Sequence, residues 1–308
     1  MNIRDLVNIR DLAATELRHK LQHAGLYLQT GPFTLCIQSA IPSVAEGIAQ
    51  LYTDFPLAPA DSFVDFHVAL ARPKNLRRWL QPQVVFLHDG FAPFQPLPLA
   101  QAFPMLEWGL NWCISAHAHQ YLIIHAAVIE RNGYAAILPA PPGSGKSTLC
   151  AALIQRGWRL LSDELTLIGS DGTITPLARP VSLKNASIAI IKNFEPRTFI
   201  NREARDTAKG TVAHLKPPAE AVARATETAP AAWIIFPKYS AHAATTLTPR
   251  PKAQTFMELA NNAFNYTLHG TKGFALLDTI VDSCGCFDFN YSRLDEAVQT
   301  FSELRSPP

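Results

Sequence analysis

The residues best suited to chemistry form a glycine-rich segment from Ala140 to Ser147, with the sequence APPGSGKS. Apart from Ala140, which takes the place of the first glycine, the segment satisfies the pattern G-x-x-x-x-G-K-[ST], the Walker A or P-loop signature. In such a loop the backbone amides surround phosphates, the lysine neutralises their oxygens and the hydroxyl ligates Mg²⁺. The sequence therefore predicts binding of a nucleoside triphosphate, with ATP and Mg²⁺ as cofactors.

Each loop position has an expected task. Gly143 and Gly145 allow the backbone to approach the phosphates, Lys146 supplies positive charge and Ser147 ligates the metal. The start of the following helix also points its free amides at the anion. The predicted nucleotide-binding residues are Pro142, Gly143, Ser144, Gly145, Lys146, Ser147 and Thr148.

Two adjacent carboxylates, Asp163 and Glu164, follow the apolar run Trp158–Ser162. A magnesium nucleotide needs an acidic partner at the end of a neighbouring strand, so we expect Asp163 to join Ser147 as a metal ligand. The other carboxylate could take the proton from an attacking hydroxyl. Which of the two is the general base is left open, and the alternative is that one of them only solvates a strand end.

The elements that must position these residues can be read around the loop. The apolar runs Tyr121–Ile129 and Tyr134–Leu138 are separated by Asn132-Gly133, a strong hairpin-turn signal. The second run leads into the loop, after which Ser147–Arg156 is typical of a short helix. Gly157 suits the end of that helix, and Trp158–Ser162 begins another strand. This order is the strand, loop, helix and strand context that a P-loop requires.

The N-terminal part predicts a small α+β region. Gly25–Ser39 contains two β-rich runs around a turn, which indicates a hairpin. A helix is expected from Pro42, a half-buried strand over Ser62–Leu70 and a second helix over Met105–His117.

Three features are predicted in the C-terminal part. Trp233–Phe236 is typical of a buried strand, and Gln254–Tyr266 of a helix. Arg202–Pro230, rich in Ala, Thr, Glu and Pro, predicts an exposed or mobile loop.

Composition limits the function classes. The chain has 308 residues, of which 48% are hydrophobic, and a net charge of +2, so bulk charge offers no support for a nucleic-acid or membrane-surface partner. The chain lacks an apolar run of membrane-spanning length and a leader segment, which predicts a cytoplasmic protein. Five scattered cysteines indicate a reducing compartment. The close pair Cys284 and Cys286 lacks a second ligand pair, so we expect core or strand residues.

Taken together, these residues resemble the HPr serine kinase/phosphorylase family, and within it the HPr kinase-related (type A) branch. The resemblance lies in the order of His125–Val128, the loop, Ile154–Gly157 and Arg159–Glu164. Considered alone, His125 would be a core histidine. The resemblance implies that Asp163 or Glu164 acts as general base towards a hydroxyl and that His125 supports it.

The resemblance extends more weakly beyond the carboxylates. Thr248–Lys252, followed by a helical segment, is similar to a basic loop of the family that reaches the phosphates, which implies that Arg250 and Lys252 offset charge on the transferred group. In the family, an Arg-Gly-Leu-Gly segment follows the carboxylates. Here that segment is absent, and Ala178–Lys184 stands near its place. Within it, Arg179 and Lys184 are candidate contacts of the acceptor or of phosphate.

The expected fold is α/β: an HPr kinase-like P-loop domain with a mixed β-sheet over residues 116–308, plus a small N-terminal α+β region over residues 1–115. The expected function is transfer of the γ-phosphoryl group of ATP to a hydroxyl of a peptide, a protein serine or a small alcohol. Two alternatives remain: a non-catalytic nucleotide-binding sensor or assembly protein, and a plain ATPase. The acceptor and a homo-oligomeric state are left open.

Overall fold

Three β-sheets organise the part of the chain that the computed structural model describes, residues 7–73 and 80–305. The protein is of the mixed α/β class. The described helices are α1 (Ala14–Gln22), α2 (Pro42–Leu51), α3 (Ala102–His117), α4 (Lys146–Ile154), α5 (Ala186–Phe194), α6 (Ala219–Ala223), α7 (Lys252–Asn262), α8 (Tyr266–Ser283) and α9 (Leu294–Ser302). The described strands are β1 (Leu26–Thr30), β2 (Phe33–Ser39), β3 (Phe66–Ala71), β4 (Gln83–His88), β5 (Leu97–Pro98), β6 (Leu122–Arg131), β7 (Tyr134–Pro139), β8 (Arg159–Ser162), β9 (Leu165–Ile168), β10 (Thr173–Thr175), β11 (Val181–Lys184), β12 (Ala204–Thr207), β13 (Gly210–Leu215), β14 (Ala229–Tyr239), β15 (Thr246–Pro249) and β16 (Gly285–Tyr291).

The N-terminal sheet has the strand order β1-β2-β3-β4-β5. The predicted hairpin is confirmed as β1 and β2, and the helix expected from Pro42 is confirmed with proline in its first turn, where the missing amide proton has no cost. The predicted strand begins four residues late, at Phe66. Helix α3 begins at Ala102, earlier than expected, and ends at His117. Since α3 runs across residue 115, the division into 1–115 and 116–308 stays a prediction.

The largest sheet has eight strands and is centred on the long strand β6. One edge of β6 pairs with β7, and the other pairs with β9 over its first half and with β8 over its second half. The register brings Ser162 opposite Val128 and Leu165 opposite His125. Asp163 and Glu164 therefore occupy the interruption between two strands that share one partner.

The predicted order of strand, loop, helix and strand is confirmed, but β7 and β8 are not neighbours. Both are antiparallel to β6, which lies between them, so they run in the same direction. The hairpin turn between β6 and β7 is also confirmed, with φ of 55° at Asn132 and 85° at Gly133, the left-handed values that such a turn requires.

Both faces of the large sheet are covered by helices because its central strands are apolar on both sides. Ala127 and Ile129 of β6 face a core that includes α4, α5 and α9. Ala126 and Val128 face the opposite core, which includes α7 and α8. The loop between β7 and α4 thus follows the carboxyl end of an inner strand of a sheet that is buried on both faces.

The third sheet, with the order β11-β13-β12, overturns one prediction. Arg202–Pro230 is not an exposed or mobile loop, because it contains β12, β13, α6 and the start of β14. Its strands are short, but Val212 and Leu215 are fully buried and β13 pairs with β11. Tertiary pairing, which composition does not reveal, orders this segment.

The predicted helix over Gln254–Tyr266 is partly wrong, because α7 ends at Asn262 and α8 begins at Tyr266. Asn265 lies in the break. Its amide oxygen accepts a hydrogen bond from the backbone of Ile123 at 2.9 Å, and its nitrogen donates to the carbonyl of Tyr121 at 2.8 Å. These two side-chain hydrogen bonds connect the break between α7 and α8 to the backbone at the start of β6.

The remaining predictions concern β14, the cysteines and membrane spans. The buried strand at Trp233–Phe236 is confirmed within β14. Cys284 and Cys286 are buried free thiols, at and beside the start of β16, as expected of core or strand residues. None of the helices in the described parts of the chain combines the length and apolar character that crossing a membrane demands.

Candidate functional site

The glycine-rich loop is held in place by the carboxyl ends of two strands. The amide of Tyr239, which ends β14, donates to the carbonyl of Ser144 at 2.8 Å, and the hydroxyl of Tyr291, which ends β16, donates to the carbonyl of Gly145 at 3.0 Å. Gly145 has a φ of 91°, and a Cβ there would approach the Tyr291 hydroxyl to 2.5 Å. Glycine is therefore required at this position both by backbone conformation and by space.

The loop presents unpaired donors in front of helix α4. Within the described chain, the amides of Gly143, Gly145, Ser147 and Thr148 donate to no other backbone group. Such amides at the beginning of a helix favour an anion, because they supply hydrogen bonds and the positive end of the helix dipole. Nucleotide binding by the loop stays a prediction, which these amides suit. The side chain of Thr148 is used elsewhere, since its hydroxyl donates to Ser187 at 2.8 Å.

Two buried atoms of opposite charge lie at this loop without partners. The ammonium nitrogen of Lys146 and the Oδ1 atom of Asp163 are buried and make no hydrogen bond within the described chain. The other carboxylate oxygen of Asp163 accepts from the amide of Ser182 at 3.2 Å, and the hydroxyl of Ser147 is near enough to lower the pKa of the carboxylate. Because buried charges are costly unless compensated, this arrangement fits a bound cation at Ser147 and Asp163 and an anion at Lys146.

Asp163 has a raised pKa. Burial is the main cause and the neighbouring negative charge of Glu164 adds to it. Lys146, Lys184 and the hydrogen bond with Ser147 oppose the rise in pKa. A divalent cation would offset the same desolvation, which agrees with the predicted role of Asp163 as a metal ligand.

Glu164 and His125 form a pair, as the resemblance implies. The Nε2 atom of His125 lies 3.1 Å from Oε2 of Glu164, and Oε1 of Glu164 lies 4.0 Å from the ammonium of Lys184. Burial alone would raise the pKa of Glu164, but the hydrogen bond with His125 and the charges of Lys146 and Lys184 lower it. The lowered pKa favours the ionised form of Glu164, whose Oε1 lies towards Lys184 and makes no hydrogen bond with it at 4.0 Å.

Lys184 joins this site, whereas Arg250 and Lys252 do not contact it. The guanidinium of Arg250 forms 2.6 Å ion pairs with Asp288 and Glu258. It also lies 4.3 Å from the ring centroid of Phe236, on the face of the sheet opposite α4. Lys252, the first residue of α7, pairs with Asp282 near the end of α8. The contacts of both cations are structural, so nothing in this arrangement supports their predicted contact with the transferred group.

Arg179 makes structural contacts and also lines a cavity beside Asp163, so its predicted substrate contact stays a prediction. Its guanidinium forms a 2.6 Å ion pair with Glu107, donates to Asn111 at 2.8 Å and reaches the hydroxyl of Tyr52 at 3.5 Å. Burial alone would lower the pKa of Arg179, but Glu107 and Tyr52 raise it. Arg179 thus connects the start of β11 to helices α2 and α3, and its donors are occupied.

Several residues that sequence reasoning missed meet beside the carboxylates. A cavity of about 20 Å³ lies between α3 and the third sheet, which is room for about one water-sized group. Its lining includes Asp163, Glu164, Trp108, Asn111, Ser182 and His214. They come from four separate stretches of chain with no motif spacing. Only the tertiary pairing of β11 with β13 brings Ser182 and His214 together.

Comparisons with known proteins reach part of the chain. A family model described as SynChlorMet cassette protein ScmC matches residues 104–194, a span that contains α3, the glycine-rich loop and both carboxylates. Among solved structures, the Hpr(Ser) kinase/phosphatase from Coxiella burnetii is 11% identical, with a TM-score of 0.26 over 58% of this chain and 91% of that chain. A likeness this low is no argument for a shared activity. No curated protein matches the chain. The matched span includes Asp163 and Glu164 but not His214.

Proposed function

We propose that the chain is an ATP-dependent kinase that transfers the γ-phosphoryl group to a hydroxyl. One observation carries the proposal: a glycine-rich loop with a buried, unpartnered Lys146 faces a carboxylate, Glu164, that His125 holds at 3.1 Å. The loop suits the phosphates, and the paired carboxylate suits an acceptor. The sequence resemblance to the HPr kinase-related branch supports the same assignment.

The division of roles between the two carboxylates follows from their partners. Ser147 and Asp163 would hold Mg²⁺, since the Ser147 hydroxyl is near enough to lower the pKa of Asp163 and Oδ1 of Asp163 is unpartnered. A magnesium ion there would neutralise charge on the β- and γ-phosphates. Glu164 is assigned the acceptor instead, because His125 orients its carboxylate through Oε2.

In the proposed reaction Glu164 orients the acceptor and takes its proton. The hydroxyl oxygen of the acceptor bonds to the γ-phosphorus of ATP, and the bond between that phosphorus and the bridging oxygen breaks to leave ADP. The proton of the hydroxyl passes to Oε1 of Glu164, while His125 keeps the carboxylate in position. Lys146 and the loop amides hold the phosphates throughout, so most of the catalysis is positioning and electrostatics.

The test is phosphoryl transfer by the wild type and by Lys146→Met, with labelled ATP, Mg²⁺ and serine-containing or small alcohol acceptors. We expect acceptor-dependent ADP release in the wild type and its loss by at least about 100-fold in Lys146→Met, a loss typical of one electrostatic stabiliser. Unchanged transfer in Lys146→Met would overturn the mechanism.

The same assay separates the two alternatives. ATP binding without acceptor-dependent ADP release would favour a nucleotide sensor or assembly protein. ADP release that needs no acceptor would favour a plain ATPase. The pairing of Glu164 with His125 speaks for the kinase, because a sensor does not need a base.

A further inference from the structure

The cavity between α3 and the third sheet contains polar atoms that no protein group satisfies. Apart from Oδ1 of Asp163, to which the proposed function assigns the metal ion, they are the hydroxyl of Ser182 and both ring nitrogens of His214. His214 is only 1% exposed. Buried polar atoms in native proteins nearly always have a hydrogen-bond partner, so these atoms require a polar group in the cavity, either an ordered water or a hydroxyl that displaces it.

The strand register builds this cavity. Ser182 of β11 and His214 of β13 are directly opposite in an antiparallel pair, so their side chains lie on the same face of the sheet. The amide of Ser182 also bonds the carboxylate of Asp163, which fixes this face against the carboxylates. Glu164 lines the same cavity, so a hydroxyl placed there is next to the proposed base.

A lysine stands beside the cavity with no carboxylate partner in the described chain. The ammonium of Lys209 lies 5.3 Å from the ring centroid of Trp108, which lines the cavity. Partial burial and the positive charges of Lys184 and Lys146 lower the pKa of Lys209, as expected of cations that share one region. Lys184 is two residues from Ser182 and on the same face of β11.

The turn that carries Lys209 is held in place by hydrogen bonds. The hydroxyl of Thr207 donates to the carbonyl of Gly210 at 2.6 Å and accepts from the amide of Lys209 at 3.0 Å. The amide side chain of Gln101 donates to the carbonyl of Asp206 at 3.0 Å, which ties the turn to the N-terminal region. The backbone that carries this positive charge is therefore fixed relative to the N-terminal region.

We propose that this cavity, together with Lys209, binds the phosphoryl acceptor. The acceptor is a small alcohol with an anionic group, a carboxylate or a phosphate, next to its hydroxyl. The hydroxyl occupies the cavity at Glu164, with Ser182 and His214 as hydrogen-bond partners. Lys209 binds the anionic group, assisted by Lys184. The small size of the cavity and the positive charge beside it favour this class over a neutral alcohol or a peptide serine. The inference rests on the proposed kinase function.

The test compares glycerol, glycerate, glycerol 3-phosphate and a neutral serine peptide as acceptors, in wild type, Lys209→Ala and Lys192→Ala. Lys192 is an exposed lysine of α5 and serves as the matched charge control. Phosphoester formation is measured with ATP and Mg²⁺, and calorimetric titration with glycerate or glycerol 3-phosphate measures binding independently of turnover. The two anionic alcohols distinguish a carboxylate from a phosphate.

We expect phosphorylation of at least one anionic alcohol with kcat/KM about tenfold or more above that of glycerol and the peptide. Lys209→Ala should raise the KM and the Kd for that alcohol about tenfold and leave the KM for ATP unchanged, the loss expected for one charge-assisted contact. Lys192→Ala should behave as wild type.

Equal use of glycerol or the peptide, an unaltered KM in Lys209→Ala, or ATP binding without phosphorylation of either anionic alcohol would overturn this inference while leaving nucleotide binding intact. Failure to bind ATP would instead overturn the proposed function itself, and the inference with it.

Discussion

At the scale of single residues, the two adjacent carboxylates differ because their neighbours differ. Asp163 accepts a hydrogen bond from the backbone amide of Ser182, and burial raises its pKa. Glu164 is bonded to His125, and its pKa is lowered despite burial. The sequence places the two residues side by side without indicating this difference, which depends on where β8 ends and β9 begins.

The first prediction concerns the pairing of Glu164 with His125. Glu164→Gln should lower kcat by at least about 100-fold, because the amide cannot accept the proton. His125→Ala should lower it less, by about 10- to 100-fold, since Glu164 remains but is no longer oriented. Neither change should weaken nucleotide binding, which steady-state kinetics and titration with ATP would show. A larger loss in His125→Ala than in Glu164→Gln would contradict the assigned roles.

The second prediction concerns stability at acidic pH and His214. Burial lowers the pKa of His214 to about 4 from 6.5, helped by Arg179 and Lys184 and opposed by Glu107 and Glu164. Between these two pKa values the unfolded chain binds more protons than the folded chain, so stability falls as pH falls from about 6.5 towards 4.

The shift corresponds to roughly 3 kcal/mol, at about 1.4 kcal/mol for each pKa unit. Urea denaturation at several pH values would measure it. His214→Gln should remove this part of the slope, and an unchanged slope in the variant would show that other groups cause the acid sensitivity.

At the scale of elements, the glycine-rich loop is shaped by β7, α4 and the ends of β14 and β16. The sequence predicted β7 and α4, because they adjoin the loop and carry local signals. It did not predict the contacts of Tyr239 and Tyr291, which lie about one hundred or more residues away in the chain. Likewise β12 and β13 were missed, because β13 is ordered by pairing with β11 and β12 by pairing with β13, not by their own composition.

The third prediction compares two glycines with nearly equal backbone conformation. Gly145 and Gly157 have φ of 91° and 90°, but only Gly145 has a neighbour, the Tyr291 hydroxyl, that an added Cβ would meet. Both Gly→Ala changes should cost about 1–2 kcal/mol through the left-handed conformation. Only Gly145→Ala should also distort the loop and weaken nucleotide binding. Equal nucleotide affinity in both variants, measured by titration with ATP and Mg²⁺, would contradict the assignment of the loop.

At the scale of the whole molecule, the N-terminal region is joined to the segment before β11 of the third sheet by a buried polar cluster. Arg179 and Glu107 form an ion pair at 2.6 Å, with Tyr52 donating to Glu107 at the same distance. This cluster also forms one wall of the cavity beside Asp163. The N-terminal region, which the sequence described only as a small α+β unit, therefore takes part in shaping the candidate site.

The fourth prediction measures the contribution of this cluster. Arg179→Ala leaves Glu107 buried without its partner and should lower the free energy of unfolding by about 3–5 kcal/mol. Arg197→Ala, which removes an ion pair of a side chain that is 90% exposed, should not change stability measurably. Equal effects of the two changes in urea denaturation would show that the cluster does not join the two regions.

The most direct test of the central claim is a crystal structure of the chain with Mg²⁺ and a non-hydrolysable ATP analogue. We predict phosphates on the amides of the loop and on Lys146, Mg²⁺ between Ser147 and Asp163, and the γ-phosphate facing Oε1 of Glu164 across the cavity. A nucleotide bound elsewhere, or a γ-phosphate that points away from Glu164, would contradict the assignment of this site as a kinase centre.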